Sequence, residues 1–270
     1  MKALEQIDGW PVPQASVAVA TPDGVVGARG VTTRQLPIAS VSKLLTTYAL
    51  LLAVEEGAVE LDDPVGPSGS TLRHVLSHTS GYAFDGTRVI AEPGRRRIYS
   101  NSGFEDAAAH LERASGIPFA GYLREAVLDP LGMSGTDPVG SPAHGFASTV
   151  DDLILFAGEL LAPKLLAGET LDDAFTVQFP GLTGVIPGVG RFEPCDWGLG
   201  VERNFGRPGH WSGEAVPASA GGHFGQTGSF LWVDRPGGLA CVCLTGRDFG
   251  PWALDVWPPL CTAVIDEGGG

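Results

Sequence analysis

Strand-forming patterns sit at both ends of this chain and helix-forming patterns fill its middle, and no other feature narrows the fold as much. Near the start, apolar runs over residues 15–20 and 25–28 flank Thr21-Pro22-Asp23-Gly24, which predicts a β-hairpin. Near the end, residues 230–233 and 239–244 flank Asp234-Arg235-Pro236-Gly237-Gly238, which predicts a second. Helical spacing covers residues 41–56, 72–78, 102–115, 119–127 and 149–161, with Gly57, Gly81, Gly116 and Gly132 placed as C-terminal caps would be. A last helical pattern over 252–265 contains Pro258-Pro259, which should kink or split it. Residues 163–191 carry no strong pattern, and the only low-complexity stretch is Gly268-Gly269-Gly270. The expectation is an α/β (α+β) fold whose antiparallel sheet is built from both chain termini. Residues 1–60 and 192–270 would form this sheet region, faced by the helix after Ser40 and by the C-terminal helix. Residues 61–191 would form a mostly helical inserted region, with the active site between the two.

At 270 residues, 43% of them hydrophobic and 18% charged, the chain can bury a sizeable core. The longest apolar stretch, 44–54, is too short to span a bilayer. The first residues, with an early Glu5, lack the apolar segment of a secretory signal, so a cytoplasmic location is expected. A formal charge of −14 argues against nucleic acid or an anionic membrane as partner, because phosphate binding needs clustered cations. Cys195, Cys241, Cys243 and Cys261 have no metal-ligand spacing and are expected as free thiols. Oligomeric state is not legible in these residues.

Lysine is scarce: only Lys2, Lys43 and Lys164 occur. Lys43 nevertheless falls inside the most apolar helical pattern, three residues after Ser40, on the same helical face. Read blandly, Ser40 is only an N-cap. Burying an ammonium is costly, however, so the lysine pKa falls and the amine becomes a usable base, which an arginine could not do. The helix start also points backbone N–H groups at a developing oxyanion. Two further segments carry chemistry. Tyr99-Ser100-Asn101 places a phenol that can relay a proton, provided a nearby ammonium lowers its pKa. Gly222-His223-Phe224-Gly225-Gln226-Thr227-Gly228-Ser229 leads into a strand, where glycines allow close backbone approach to substrate.

These three segments, in this order, resemble the penicillin-recognising serine hydrolases: class C β-lactamases, DD-peptidases and related esterases. Further similar segments are Leu61-Asp62-Asp63-Pro64-Val65, the run from Leu72 to Gly81, Pro93-Gly94 and Asp129-Pro130-Leu131-Gly132-Met133. The resemblance implies that Ser40 is acylated, that Lys43 and Tyr99 share proton transfer, and that Asn101 orients Lys43 or the substrate amide. Gln226-Thr227-Gly228 is the preferred register for the third motif, with His223-Phe224-Gly225 as the alternative. In the preferred register the oxyanion donors are the backbone amides of Ser40 and Ser229. Gln226 then replaces a cationic or titratable residue, which points away from β-lactams and peptide termini as substrates.

His74 and His78 lie four apart, but no third ligand is evident, and structural roles are expected. The run Arg95-Arg96-Arg97 reads as a solvated turn rather than an anion receptor. No G-x-S-x-G elbow and no phosphate loop occur. The expected function is a serine hydrolase acting on a small-molecule ester or amide through an acyl-enzyme, requiring no cofactor and no metal. The alternatives are an acyltransferase passing the acyl group to an amine or alcohol, and a non-catalytic binding protein of the same fold.

Overall fold

A computed structural model describes residues 1–268; Gly269 and Gly270 of the glycine tail lie outside the described residues. After a 3-10 turn at Lys2–Gly9 come β1 (Ala15–Thr21), β2 (Gly24–Arg29) and the short β3 (Leu36–Pro37). A single 3-10 turn, Ala39–Val41, leads into α1 (Ser42–Glu55). The middle of the chain carries α2 (Leu72–Leu76), β4 (Arg97–Ile98), α3 (Asn101–Ser115), α4 (Phe119–Leu123), α5 (Asp129–Leu131), β5 (Ala147–Ser148), α6 (Val150–Leu161) and α7 (Gly168–Phe175). Next come β6 (Gly184–Ile186), β7 (Gly190–Phe192), β8 (Gly221–Gly225), β9 (Ser229–Asp234), β10 (Leu239–Thr245) and α8 (Pro251–Gly268). Among the described residues, no helix is long and apolar enough to cross a membrane.

The two terminal hairpins join in one antiparallel five-stranded sheet, ordered β2-β1-β10-β9-β8. First and last strands meet directly, Val17 opposite Cys243 and Ala18 opposite Val242. Period-two alternation sorts the strand residues into two cores. Val17, Val19, Phe230, Trp232, Cys241 and Cys243 face one core with Trp257 and Cys261 of α8. Ala18, Ala20, Leu231, Val233, Val242 and Leu244 face the other, with α1 and α6. With both faces covered, β9 and β10 are buried along their whole length, which is why they read as unbroken apolar runs. The four cysteines are free and buried. The sheet is thus faced by α8 on one side, as expected, and on the other by α6 as well as α1.

Four local expectations change. The helix read over 72–78 stops at Leu76, and His78 adopts a left-handed φ of 58°. Gly81 is therefore not its cap; a Cβ there would lie 2.1 Å from the Ala91 carbonyl oxygen, so glycine is needed for close approach. The helix read over 119–127 opens into a π-helical turn at Arg124–Leu128. Pro258 and Pro259 do not split α8, which runs continuously. Trp257, Leu260 and Cys261 are completely buried against the sheet, and that packing outweighs the missing N–H donors. Finally, the patternless stretch 163–191 holds α7, β6 and part of β7, because strands of three residues are too short to show a period.

Candidate active site

Ser40 lies in the 3-10 turn ahead of α1, not at the N-cap of the helix, and Val41 at that position makes no side-chain cap bond. The turn is forced by Ala39, a non-glycine residue with φ of 44°, a conformation retained only where the surroundings enforce it. At the second position of α1, Lys43 is fully buried. Its Nζ lies 2.7 Å from Asn101 Oδ1, 2.8 Å from the Ala143 carbonyl oxygen and 3.4 Å from Ser40 Oγ. No carboxylate pairs with it directly. Burial drives its pKa well below the ordinary lysine value, with Asp85 and Glu105 pulling the other way. In all three contacts Nζ can donate to oxygen; once the amine is neutral, two N–H donors remain for the carbonyl-type oxygens and one lone pair for the Ser40 hydroxyl.

Asn101 is fixed as the first residue of α3, whose N-cap Ser100 accepts a bond from the Gly103 amide. The Asn101 Nδ2 donates to Asp85 Oδ1 at 2.9 Å, so its carbonyl oxygen is turned to Lys43. Tyr99 is buried, with Lys43 Nζ 4.7 Å from its ring centroid. Burial pushes its phenol well above the usual tyrosine value, and the Ser40 side chain opposes this only in part. The expected lowering of the Tyr99 pKa by a nearby ammonium therefore does not prevail: desolvation dominates and raises it.

His223 lies opposite. Its Nδ1 gives its hydrogen to the Phe224 carbonyl at 2.6 Å, which leaves Nε2 unprotonated 3.3 Å from the Tyr99 hydroxyl. Burial lowers the His223 pKa to about 3. Ser40, Tyr99, Trp197, His223, Phe224 and Gln226 line a cavity of about 100 Å³.

The third segment has a different register from the preferred one. His223 and Gly225 lie on β8, whereas residues 226–228 form the turn between β8 and β9. Thr227 Oγ1 donates to the Pro37 carbonyl and Ser229 Oγ to the Ile38 carbonyl, both at 2.8 Å. Ser229 belongs to a central strand, in register with Gly225 on one side and Leu244 on the other. Its backbone groups lie between paired strands, so it is not the oxyanion donor the sequence suggested. β8 is instead the sheet edge. At Gly222 that edge is bridged by Glu202, and the two-residue period turns the Phe224 amide to the same outer side, with Gln226 directly after the strand end. A Cβ at Gly225 would fall 2.3 Å from the Ile38 carbonyl oxygen, so glycine lets the strand end touch the Ser40 turn.

Glu202, His210 and Trp211 had no sequence signal, and His78 was expected only in a structural role. His78 accepts the Ser100 amide hydrogen at 3.1 Å through Nδ1 and stacks on Tyr99 at 4.4 Å. Glu202 is completely buried, bound by His210 Nε2 at 2.8 Å and Trp211 Nε1 at 2.9 Å. Burial raises its pKa, but His210, Trp211 and His223 together outweigh this and leave it lowered. His74 bonds Thr71 at the start of α2 and stacks on Phe179. Arg97 is neither solvated nor open to substrate: its guanidinium serves the carbonyls of Ser77, Gln178, Phe179 and Cys195.

Comparison with known proteins bears on the family and the fold. The β-lactamase family model matches residues 8–137. A solved β-lactamase from Mycobacterium bovis is 51% identical, with a TM-score of 0.97 over 99% of this chain and 100% of that one. Simvastatin synthase from Aspergillus terreus shares the fold at 16% identity, with a TM-score of 0.80 over 97% of this chain and 96% of that one. Penicillin-binding protein 4* of Bacillus subtilis is 27% identical over 132 residues, or 37% of this chain. The D-alanyl-D-alanine-carboxypeptidase/endopeptidase AmpH of Escherichia coli is 28% identical over 142 residues, or 39% of this chain. These matches span only 29% and 37% of the two curated relatives' lengths. On the end-to-end identity to the mycobacterial protein, this chain belongs to the serine β-lactamase and penicillin-binding-protein-like family.

Proposed function

We propose that this protein is a serine hydrolase that cleaves a small-molecule ester or amide through an acyl-enzyme on Ser40. The observation that carries the reading is the placement of Lys43, a fully buried amine with Nζ 3.4 Å from Ser40 Oγ and held by Asn101 Oδ1 and the Ala143 carbonyl at 2.7 and 2.8 Å, with no carboxylate paired to it. A buried amine held this way is a base aimed at Ser40 Oγ.

In the first step the Ser40 proton passes to Lys43 Nζ while Oγ bonds to the substrate carbonyl carbon. The resulting oxyanion is received by the backbone amides of Ser40 and Gln226, the second of which lies directly after the end of the edge strand. As the carbonyl reforms, the leaving oxygen or nitrogen takes the Tyr99 hydroxyl proton. The Lys43 ammonium then returns a proton to the phenolate. A phenol kept protonated by burial suits a donor rather than a base. Water attacking the acyl-enzyme by the same route in reverse frees Ser40. His223, neutral and accepting from Tyr99, holds the phenol in place. Asn101 holds the lysine.

The register of the third segment bears on substrate. Because His223 rather than Gln226 lies on the edge strand, Gln226 no longer stands where the family's cationic residue would be expected. The argument it supplied against carboxylate-bearing substrates falls away.

The test is labelling with a fluorophosphonate and turnover of p-nitrophenyl esters by wild type and Ser40→Ala, with adduct mass and release rate as readouts. A wild type that neither labels nor turns over, or a variant that does both equally well, refutes the assignment. Adding amines and seeking a new amide separates hydrolysis from acyl transfer.

A further inference from the structure

The cavity at Ser40 opens into a larger groove. Phe84, Tyr99 and Pro187 line both it and a neighbouring space of about 460 Å³. One wall of that space is the small sheet β4-β6-β7, where Ile98 pairs with Val185 and Val185 with Arg191. Residues paired across strands share a face, and alternation along the chain sets Arg96 on the same side as Ile98, with Arg97 turned the other way. Arg97 indeed points inward to its four carbonyls, while Arg88, Arg96 and Arg191 line the groove.

Two features of this lining bear on what it could hold. It contains three exposed arginines and no carboxylate residue, although the protein has 31 acidic residues against 17 basic ones. Among the described residues, Arg88 and Arg96 have no ion-pair or side-chain hydrogen-bond partner, and Arg191 meets only Glu193, at 3.4 Å. Elsewhere Arg29, Arg73, Arg207 and Arg235 each hold an aspartate. Exposed apolar side chains share this lining, Phe84 at 46%, Ile90 at 43% and Val185 at 57%, and Phe84 also lines the cavity at Ser40. An apolar lining that reaches the nucleophile's cavity and carries unpaired guanidinium groups fits a substrate with an apolar stem and an anionic end.

We propose that this groove is a substrate subsite in which Arg88, Arg96 and Arg191 bind a carboxylate or phosphate-type group. That group is carried on an apolar stem, away from the carbonyl that Ser40 attacks. The proposal rests on the reading of Ser40 as nucleophile and deepens it by giving the substrate a charge.

The experiment compares three p-nitrophenyl esters of matched chain length, whose distal ends are methyl, carboxylate and phosphonate. For wild type, kcat/KM is expected to be about tenfold higher for at least one anionic ester than for the neutral one, and the excess shrinks as salt rises. The anion with the larger excess identifies the group. In Arg88→Gln/Arg96→Gln the ratio of anionic to neutral falls toward one, whereas Arg88→Lys/Arg96→Lys keeps part of it. Equal rates for all three esters in wild type, or a preference that survives the double glutamine variant, overturns the proposal. Calorimetric binding of the corresponding free diacid and phosphono-acid to Ser40→Ala reads the groove without turnover; loss of binding in the added double glutamine variant supports it, and absence of binding counts against it. If Ser40 labels but no anion is preferred, only the groove assignment fails. If anions bind but Ser40 neither labels nor matters for turnover, the nucleophile assignment fails.

Discussion

His223 Nε2 lies 3.3 Å from the Tyr99 hydroxyl, and because Nδ1 of the same ring gives its hydrogen to the Phe224 carbonyl, the phenol is the donor in the pair. The edge strand of the sheet thereby holds the hydroxyl that faces Ser40, and it does so with a neutral imidazole. A protonated His223 would remove the acceptor and place a cation beside Lys43. The consequences can be measured.

Tyr99→Phe removes the proposed donor to the leaving group but keeps the ring that stacks on His78. We expect amide or alkyl-ester turnover to fall by about 100-fold or more, and p-nitrophenyl ester turnover to fall much less, because p-nitrophenolate leaves without a proton. Steady-state kcat on the two substrate types checks this. Equal losses on both would assign Tyr99 a structural role.

Lys43→Arg is expected to be as inactive as Lys43→Met, with acylation at least about 100-fold slower than wild type, since a guanidinium does not give up its proton. The pH dependence carries a sign. Burial lowers the Lys43 pKa and the free amine is the active form, so kcat/KM should rise with pH and reach its plateau well below the ordinary lysine value. Rates that instead keep climbing toward the ordinary lysine value of 10.5 would show a lysine that is not depressed. Fluorophosphonate labelling rates across pH serve as a second readout.

Stability should fall in acid through His223. Its pKa drops from 6.5 to about 3 on folding, so as pH falls below 6.5 the unfolded chain takes up a proton that the folded one refuses. This group's contribution is whole above 6.5 and is lost progressively down to about 3, at about 1 kcal/mol per pH unit. Denaturant unfolding of wild type and His223→Gln between pH ~7 and ~4 should show the variant with a slope shallower by about that amount. Parallel curves would contradict the assignment.

Gly225→Ala places a Cβ 2.3 Å from both the Ile38 carbonyl oxygen and Ser229 Oγ. Either the strand end or the Ser40 turn must move. A shift of about 1 Å at the nucleophile costs on the order of 100-fold in rate, so kcat/KM should drop by roughly that factor even where the variant stays folded by circular dichroism. Wild-type kinetics in a folded variant would show that β8 and the Ser40 turn are not tightly coupled.

The order of elements was readable from the sequence because it depends on local periodicity. Turn residues at 21–24 and 234–238 marked both hairpins, and the spacing of apolar residues marked α1, α3 and α6 to within one residue. Ser40 and Lys43 were readable for the same reason, since three residues along a helix bring side chains together. Tyr99 and Asn101 were picked out by their segment, but their bonds were not, because Lys43, Asn101, Ala143 and Asp85 come together only when α1, α3 and the loop before β5 pack.

What the sequence determined by itself is therefore a terminal antiparallel sheet, a helical middle and a Ser-x-x-Lys pair on an apolar helix. Only the tertiary structure decided which way the pKa values of Lys43 and Tyr99 move, because desolvation depends on what covers a group and not on its neighbours in the chain. It also decided the register of the third segment. From 222 to 229 the sequence offers two similar Gly-containing triplets, and the choice falls to His223-Phe224-Gly225 because those residues pair with β9 and leave an open edge beside Ser40.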